Sequence, residues 1–416
     1  MTTQARNLLS VGAAVFVGTL IAFYMVSQFL RNSVGVIAPN LAAELNLSAA
    51  DIGLLSSAFF IAFAAVQLPL GLALDRFGPR TVLLVCAGIT VAGAILFAVA
   101  ASAAGLIAAR VLMGIGCSSS LMAPLALYAK RFPPERFATL VGLQLGLGTI
   151  GTLFATAPLA HAAADIGWRA TFVVVGAVTL LGGLLVAIVV RDDAPAGAKA
   201  ARRETFRESL AGLVAVLRTP SVGRLFLMHW TGYATFALLA GLWGAPYLTD
   251  VYGYDLKGRG ELLLLPVIAQ IVGSVLWGPM DRVLGSYKLP VLVGAGLTIA
   301  TLFILAFAGT LAFIPLAGWL VAFGFFSAYT PVMMAHGKSL FPPHLVGRGI
   351  TLLNMGTMAG VFFSQAVTGL VIDLFPAAQG RYPLDAYRAV FALQGAFLLV
   401  SCLFYVGSRD PRSGAG

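Results

Sequence analysis

Tyr24, Gln28, Arg31 and Gly35 fall at i, i+4, i+7 and i+11 within one long apolar stretch, a spacing that puts them on one face of a helix. A guanidinium there offers a planar fork that grips a carboxylate or phosphate through two parallel hydrogen bonds. An ionisable residue in an apolar segment is by default a functional-site hypothesis. The plainer alternative is an arginine that reaches toward headgroups or bonds to a neighbouring helix. A second group is the run Gly71-Leu72-Ala73-Leu74-Asp75-Arg76-Phe77-Gly78-Pro79-Arg80, a turn crowded with charge between apolar stretches. Asp75 can accept backbone N–H groups at a helix N-terminus, and Arg76 and Arg80 can reach carbonyls or carboxylates. A shorter copy, Gly278-Pro279-Met280-Asp281-Arg282, lies in the second half. The alternative for both is a polar turn that keeps a loop out of lipid.

Other polar residues sit inside apolar runs. Arg110 opens Arg110-Val111-Leu112-Met113-Gly114-Ile115-Gly116; buried without a partner it would cost at least about 2.5–3.5 kcal/mol. It is expected to point inward and find carbonyls. His229 shares a helical face with Tyr233 and Phe236, and an imidazole's ordinary pKa of about 6.5 suits proton binding. It is the coupling candidate, against a histidine simply bonded to its surroundings. Gln144 and Asn354 occupy matching places in the two halves, and Tyr329 lies in a late span. Each is a candidate substrate contact, although buried amides in membrane helices often only bridge neighbouring helices. No HExxH, GxSxG or Gly-rich loop ending in GK[ST] occurs. The four histidines are scattered, and Cys86, Cys117 and Cys402 lie in apolar runs without a CxxC. No catalytic residue, metal site or cofactor is expected, and so no enzyme.

The elements that must position these residues follow from composition. Of 416 residues, 59% are hydrophobic and only 10% charged, against about 25% charged in soluble domains. There is too little charge to face water, and apolar runs near 20 residues match a bilayer crossing. Twelve helices are predicted, at 10–39, 51–74, 80–100, 103–130, 137–161, 168–190, 222–248, 258–280, 288–309, 311–336, 346–373 and 386–407. Residues 191–220 read as a polar linker, with an amphipathic surface helix over Glu204–Leu217 as one alternative. Lysines and arginines divide 19 to 7 in favour of the face carrying both termini, which the positive-inside rule assigns to the cytoplasm. The net charge of +10 therefore meets anionic lipid rather than nucleic acid.

The halves repeat. Phe132-Pro133-Pro134 recurs as Phe341-Pro342-Pro343, Asp75-Arg76 as Asp281-Arg282, and Trp168-Arg169-Ala170-Thr171-Phe172 is echoed by Tyr387-Arg388-Ala389-Val390-Phe391. The expected architecture is an all-α membrane protein of twelve transmembrane helices in two pseudo-symmetric six-helix bundles, 1–190 and 221–416, joined by the linker. Such parallel repeats rock about a site near the midplane.

With these motifs in hand, the chain resembles the major facilitator superfamily over nearly its whole length. Gly71 to Arg80 matches that family's GxxxDRxGxR loop, and Arg110 to Gly116 looks like its RxxxGxG segment. The resemblance implies the major facilitator fold and a cytoplasmic latch made by Gly71, Asp75, Arg76, Gly78 and Arg80. Asp281 and Arg282 form its weaker copy, and Arg110 has a gating role. Leu30 to Pro39 resembles the organic anion:cation symporter group, in which a first-span Arg meets the anion. Where that group carries acids beside this Arg and after the fourth-span glycines, this chain has Leu30 and Cys117. Every Asp and Glu falls in a loop or at a helix end. A monovalent anion entering an inside-negative cell works against about 2.3 kcal/mol per 100 mV. Import therefore needs a co-transported proton or other cation; otherwise the chain exchanges or exports. The expectation is a monomeric inner-membrane transporter of an organic anion working by alternating access. The alternatives are a drug–proton antiporter and a facilitator of a neutral metabolite.

Overall fold

A computed structural model describes residues 11–190, 219–341 and 345–412, together with residues 211, 214 and 216. The linker and the amphipathic helix expected over Glu204–Leu217 lie almost wholly outside the described residues, as do Pro342 and Pro343 of the repeat. The spans are α1 Val11–Leu45, α2 Ala49–Ala65 continuing as Gln67–Phe77, α3 Pro79–Val99, α4 Ala103–Arg131, α5 Glu135–Phe154 and α6 Ala157–Val189. The second set is α7 Val222–Tyr252, α8 Leu256–Val283, α9 Lys288–Phe307, α10 Phe313–Leu340, α11 Val346–Asp373 and α12 Leu384–Val406. With the bent α2 taken as one span, this makes the twelve expected crossings.

Local chemistry sets the ends and bends. At the face away from the termini, hereafter the far face, Ser48, Ser102 and Asp255 cap α2, α4 and α8 by accepting backbone N–H bonds, the habit of short polar side chains at helix starts. Gly167 has φ 80° and ψ 151° within the stretch named α6. No helix holds that conformation, so residues 157–166 complete the fifth crossing and the sixth starts at Trp168. The sequence reading ended the first span at residue 39, but the helix continues through Pro39 to Leu45, because membrane helices tolerate proline. α2 bends by 48° at Val66. Pro69 explains this, since its ring displaces the carbonyl four residues earlier. α7 carries a π turn at Leu239–Trp243, just ahead of Pro246, which has no N–H for the ladder.

α1–α6 and α7–α12 form the two bundles. α3 packs on α4 and α6 in the first; α7 packs on α11 and α9 on α12 in the second. The bundles meet through α2 with α11, α1 with the π turn of α7, and residues 157–166 with α8. The buried core is continuous across both bundles in the far half, where Leu30, Phe59, Trp243 and Tyr387 belong to one cluster. Toward the terminal face it divides. One cluster there is built on Phe16, Leu83 and Tyr128 of the first bundle, another on Met228, Tyr329 and Tyr405 of the second.

Hydrogen bonds reinforce the far-face closure. Asp373 Oδ1 accepts the Ala49 N–H at 2.9 Å and Oδ2 the Ala50 N–H at 3.0 Å, so the end of α11 caps the start of α2. Tyr382 donates to Asp373 Oδ1 at 2.8 Å. Arg259 of α8 donates to Val36 O at 2.9 Å and to Asn40 Oδ1. Lys257 pairs with Asp165 at 2.8 Å, and His161 lies 3.3 Å from Glu261. Two glycine pairs bring backbones together: a Cβ on Gly35 would stand 2.6 Å from the Gly241 carbonyl, and one on Gly53 would stand 2.6 Å from Gln365 O.

Candidate functional site

α1 positions the site midway along its length. Arg31 is 8% exposed, has an unpartnered Nε, and makes no hydrogen bond or ion pair with any described residue. Its guanidinium lies 5.0 Å from the centroid of the Phe63 ring on α2, a cation–π contact. Tyr24, about two turns earlier on α1, is in electrostatic reach of Arg31 and of Tyr233 on α7. Gln28 is buried with its Oε1 unpartnered. Tyr24, Gln28 and Arg31 are thus all buried on α1, and Tyr24 is the one of them within electrostatic reach of the other bundle. A buried cation without an acid, fringed by a phenol and an amide, is chemically suited to receive an anion.

Arg110 behaves otherwise. It is fully buried, and its Nη1 donates to Leu30 O at 2.6 Å and its Nη2 to Ser56 O at 3.4 Å, with the charge 4.7 Å from the Phe59 ring centroid. It ties α4 to α1 and α2 and pins α1 one residue before Arg31. Cys117, at the end of the same helix segment, is within electrostatic reach of both arginines.

The remaining candidates are dispersed. Gln144 is fully buried, and both ends of its amide are engaged: the Tyr128 hydroxyl donates to Oε1 at 2.7 Å, and Nε2 donates to Leu20 O at 3.2 Å. Its amide is spent within the first bundle. Tyr329 is fully buried in the second bundle's core with its hydroxyl unpartnered, and Asn354 is half-buried on α11. His229 is fully buried, Nδ1 lying 3.0 Å from Leu225 O and Nε2 3.4 Å from Met334 S. Its ring is held on both sides within the second bundle.

At the terminal face Gly71, Asp75 and Arg76 are exposed, Gly78 turns the chain at φ 82°, and Arg80 donates to Ala187 O at 2.8 Å. The second copy differs. Asp281 is buried and pairs with Arg412 at 2.9 Å, while Arg282 is exposed. Asp410 accepts bonds from the Ser286 hydroxyl at 2.6 Å and the Lys288 N–H at 3.1 Å, seating the chain end on α9. Burial pushes the Asp410 carboxyl up, but these and two further N–H bonds outweigh it and hold it below its ordinary range. At the far face, burial and the neighbouring Asp373 push the Tyr382 phenol up to about 12, so it stays a neutral donor in the closure.

The sequence reading omitted Asn32 and Gln365 from the site. Both are buried; Asn32 Oδ1 and Gln365 Oε1 are unpartnered and flank Gly241 at the π turn. Their only sequence signal is polarity within apolar runs. Arg259 and Asp373 gave no motif. No cluster of metal-ligating side chains occurs among the described residues.

A family model for the Major Facilitator Superfamily matches residues 20–264 and 225–416. The chain belongs to the Major Facilitator Superfamily. It is a membrane transporter, as this family's members are, and not an enzyme. It is 27% identical to a Cupriavidus necator protein named "Probable sulfoacetate transporter SauU" over 282 residues, 65% of each chain, so it spans just under two thirds of that relative. It is 26% identical to the hexuronate transporter of Bacillus subtilis over 381 residues, 87% of this chain and 88% of the relative. Among solved structures, a bacterial homologue of the human lysosomal transporter Spinster superposes with a TM-score of 0.77 at 18% identity, covering 95% of this chain and 96% of the other. The nucleoside transporter NupG gives 0.74 at 14%, covering 94% and 98%. Both superpositions span nearly the whole of each chain, so this chain shares their fold.

Proposed function

We propose that this chain carries a small organic anion of the carboxylate type by alternating access, with Arg31 as the anion-binding group. The observation that carries the reading is a buried guanidinium that makes no hydrogen bond or ion pair with any described residue, on a span that packs against α7 of the other bundle. Leaving such a charge unpaired is costly, and a carboxylate fits its fork in bidentate fashion. Tyr24, Gln28 and Tyr233 contribute neutral hydrogen bonds around it, and Asn354 is a contact from α11. Gln144 supports the site from behind by holding α1 at Leu20, and Tyr329 does so from within the second bundle. The named substrates of the two curated relatives, sulfoacetate and hexuronate, both contain a carboxylate, which favours the same class here.

The excess of basic residues at the terminal face supports a cytoplasmic location for both termini in a bacterial-type inner membrane. The far-face bonds and the core that divides toward the terminal face then correspond to an inward-open state. In that state the loop Gly71–Arg80 is unlatched, consistent with the exposure of Asp75 and Arg76. It re-engages when the cytoplasmic side closes, with Asp281, Arg282 and Arg110 as supporting elements. The binding unit is one chain in lipid. His229, held on both nitrogens, remains the coupling candidate only if its bonds change between states.

A thermal-shift screen tests the reading, run on the purified protein and on Arg31→Gln with carboxylates, phosphate esters, neutral sugars and cationic drugs. A ligand at about 100 times its Kd stabilises by about 2.7 kcal/mol. Carboxylates are expected to shift the wild type and not the variant. A neutral or cationic compound that shifts both equally would sink the assignment.

A further inference from the structure

We infer that this transporter is an anion exchanger: it reorients readily only with an anion seated on Arg31, so each anion released is replaced by another before the carrier returns. The inference rests on Arg31 being the anion site. Its observations are the surroundings of two guanidiniums. Arg31 and Arg110 are both buried, and Cys117, on the same span as Arg110, is within electrostatic reach of both. Arg110 also has an unpartnered Nε, but its two Nη groups donate to carbonyls, whose dipoles solvate its charge without cancelling it. Arg31 makes no hydrogen bond or ion pair with any described residue and has the Phe63 ring against its guanidinium.

The acids that could balance this charge are committed elsewhere. Glu44 binds Arg169 and the Trp168 N–H, Asp165 binds Lys257, Asp250 accepts the Tyr387 hydroxyl, and Asp373 caps α2. All of these lie at the far face. Asp281 and Asp410 are engaged at the terminal face.

Alternating access requires that the space around Arg31 be sealed from both sides at mid-cycle. Empty, that step strips water from an unbalanced guanidinium in a bundle that already buries a second one, and the penalty falls entirely on the barrier. Loaded, the carboxylate replaces the water with two charge-assisted bonds and removes the net charge of the fork. The empty return is therefore slow and the loaded one fast. Exchange of like-charged anions moves no net charge, so the membrane potential that opposes anion entry does not act on the cycle.

The test uses the full chain in liposomes, with radiolabelled glucuronate, sulfoacetate and pyruvate as probes and the thermal-shift comparison of wild type and Arg31→Gln alongside. Unlabelled probe on the opposite side is expected to speed labelled uptake about 100-fold, equivalent to about 2.7 kcal/mol at 1.36 kcal/mol per tenfold. Cys117→Asp, which supplies an acid within reach of both arginines, is expected to narrow that ratio by at least about tenfold. Cys117→Ser should retain it. Arg31-dependent binding together with uptake that needs no opposite-side anion, or that a proton or sodium gradient drives into empty liposomes, overturns exchange and leaves the anion site standing. An exchange ratio that Cys117→Asp leaves unchanged, in protein whose thermal midpoint matches that of Cys117→Ser, overturns the charge argument. No Arg31-dependent binding by any probe overturns both readings.

Discussion

Arg31 and Arg110 are the same residue type in the same bundle, and their partners give them opposite roles. Arg110 has two carbonyls and a ring, so its charge is solvated by the protein and its removal is a loss of structure. Arg110→Ala would remove the bonds to Leu30 O and Ser56 O that tie α4 to α1 and α2, at about 1.5–3 kcal/mol for each charged hydrogen bond, and would leave a cavity where the buried side chain was. The expected result is a clear fall in the thermal midpoint in detergent, with the rank order of anions unchanged in the protein that survives. A changed rank order with an unchanged midpoint would instead place Arg110 in the binding site. At this scale the first-span face was legible, because helical spacing alone aligns Tyr24, Gln28 and Arg31. The inward turn of Arg110 onto carbonyls was legible from the cost of leaving it bare. The commitment of Gln144 was not, since its carbonyl partner Leu20 lies 124 residues away in sequence and is chosen by packing.

Spans were the most legible elements, because lipid demands long apolar helices and leaves few other solutions. Their irregularities were less so. A proline announces that a helix is disturbed, yet Pro39 passes without a break, Pro69 bends α2, and Pro246 accompanies a π turn. Which outcome follows depends on neighbours able to take up the freed carbonyl. Close approach between helices of different bundles is likewise hidden in sequence, since a glycine at an interface looks like any other glycine. Gly53 faces Gly369 and Gln365 across the bundles only while the far face is closed. Gly53→Ala would put a methyl group into the backbone of α11 and oppose that closure. The expected outcome is a folded protein with little transport and with a cysteine introduced at Ala50 more reactive to an impermeant thiol reagent. Unchanged labelling and flux would show that the approach is not needed for the cycle.

For the molecule as a whole, the two copies of the charged loop are unequal. Asp281 is occupied by Arg412 from its own bundle, whereas Asp75 is exposed and available to the opposite bundle. Asp75→Asn is therefore expected to lower flux at least about tenfold by weakening one of the two end states, with little change in thermal midpoint. Asp281→Asn should do the reverse, loosening the chain end first. Equal effects on flux would mean that both loops latch. The pairing of six helices with six was legible from the repeat, but the face that is closed was not, because one sequence must encode both states. The far-face closure carries a lesson of its own. Asp373 grips the amide hydrogens of Ala49 and Ala50, not their side chains. At the half-buried Ala50 the side chain is therefore free to drift over evolution as far as the lock is concerned, whereas Ala49, 2% exposed, must stay small for packing alone. Only proline would remove the group that is held.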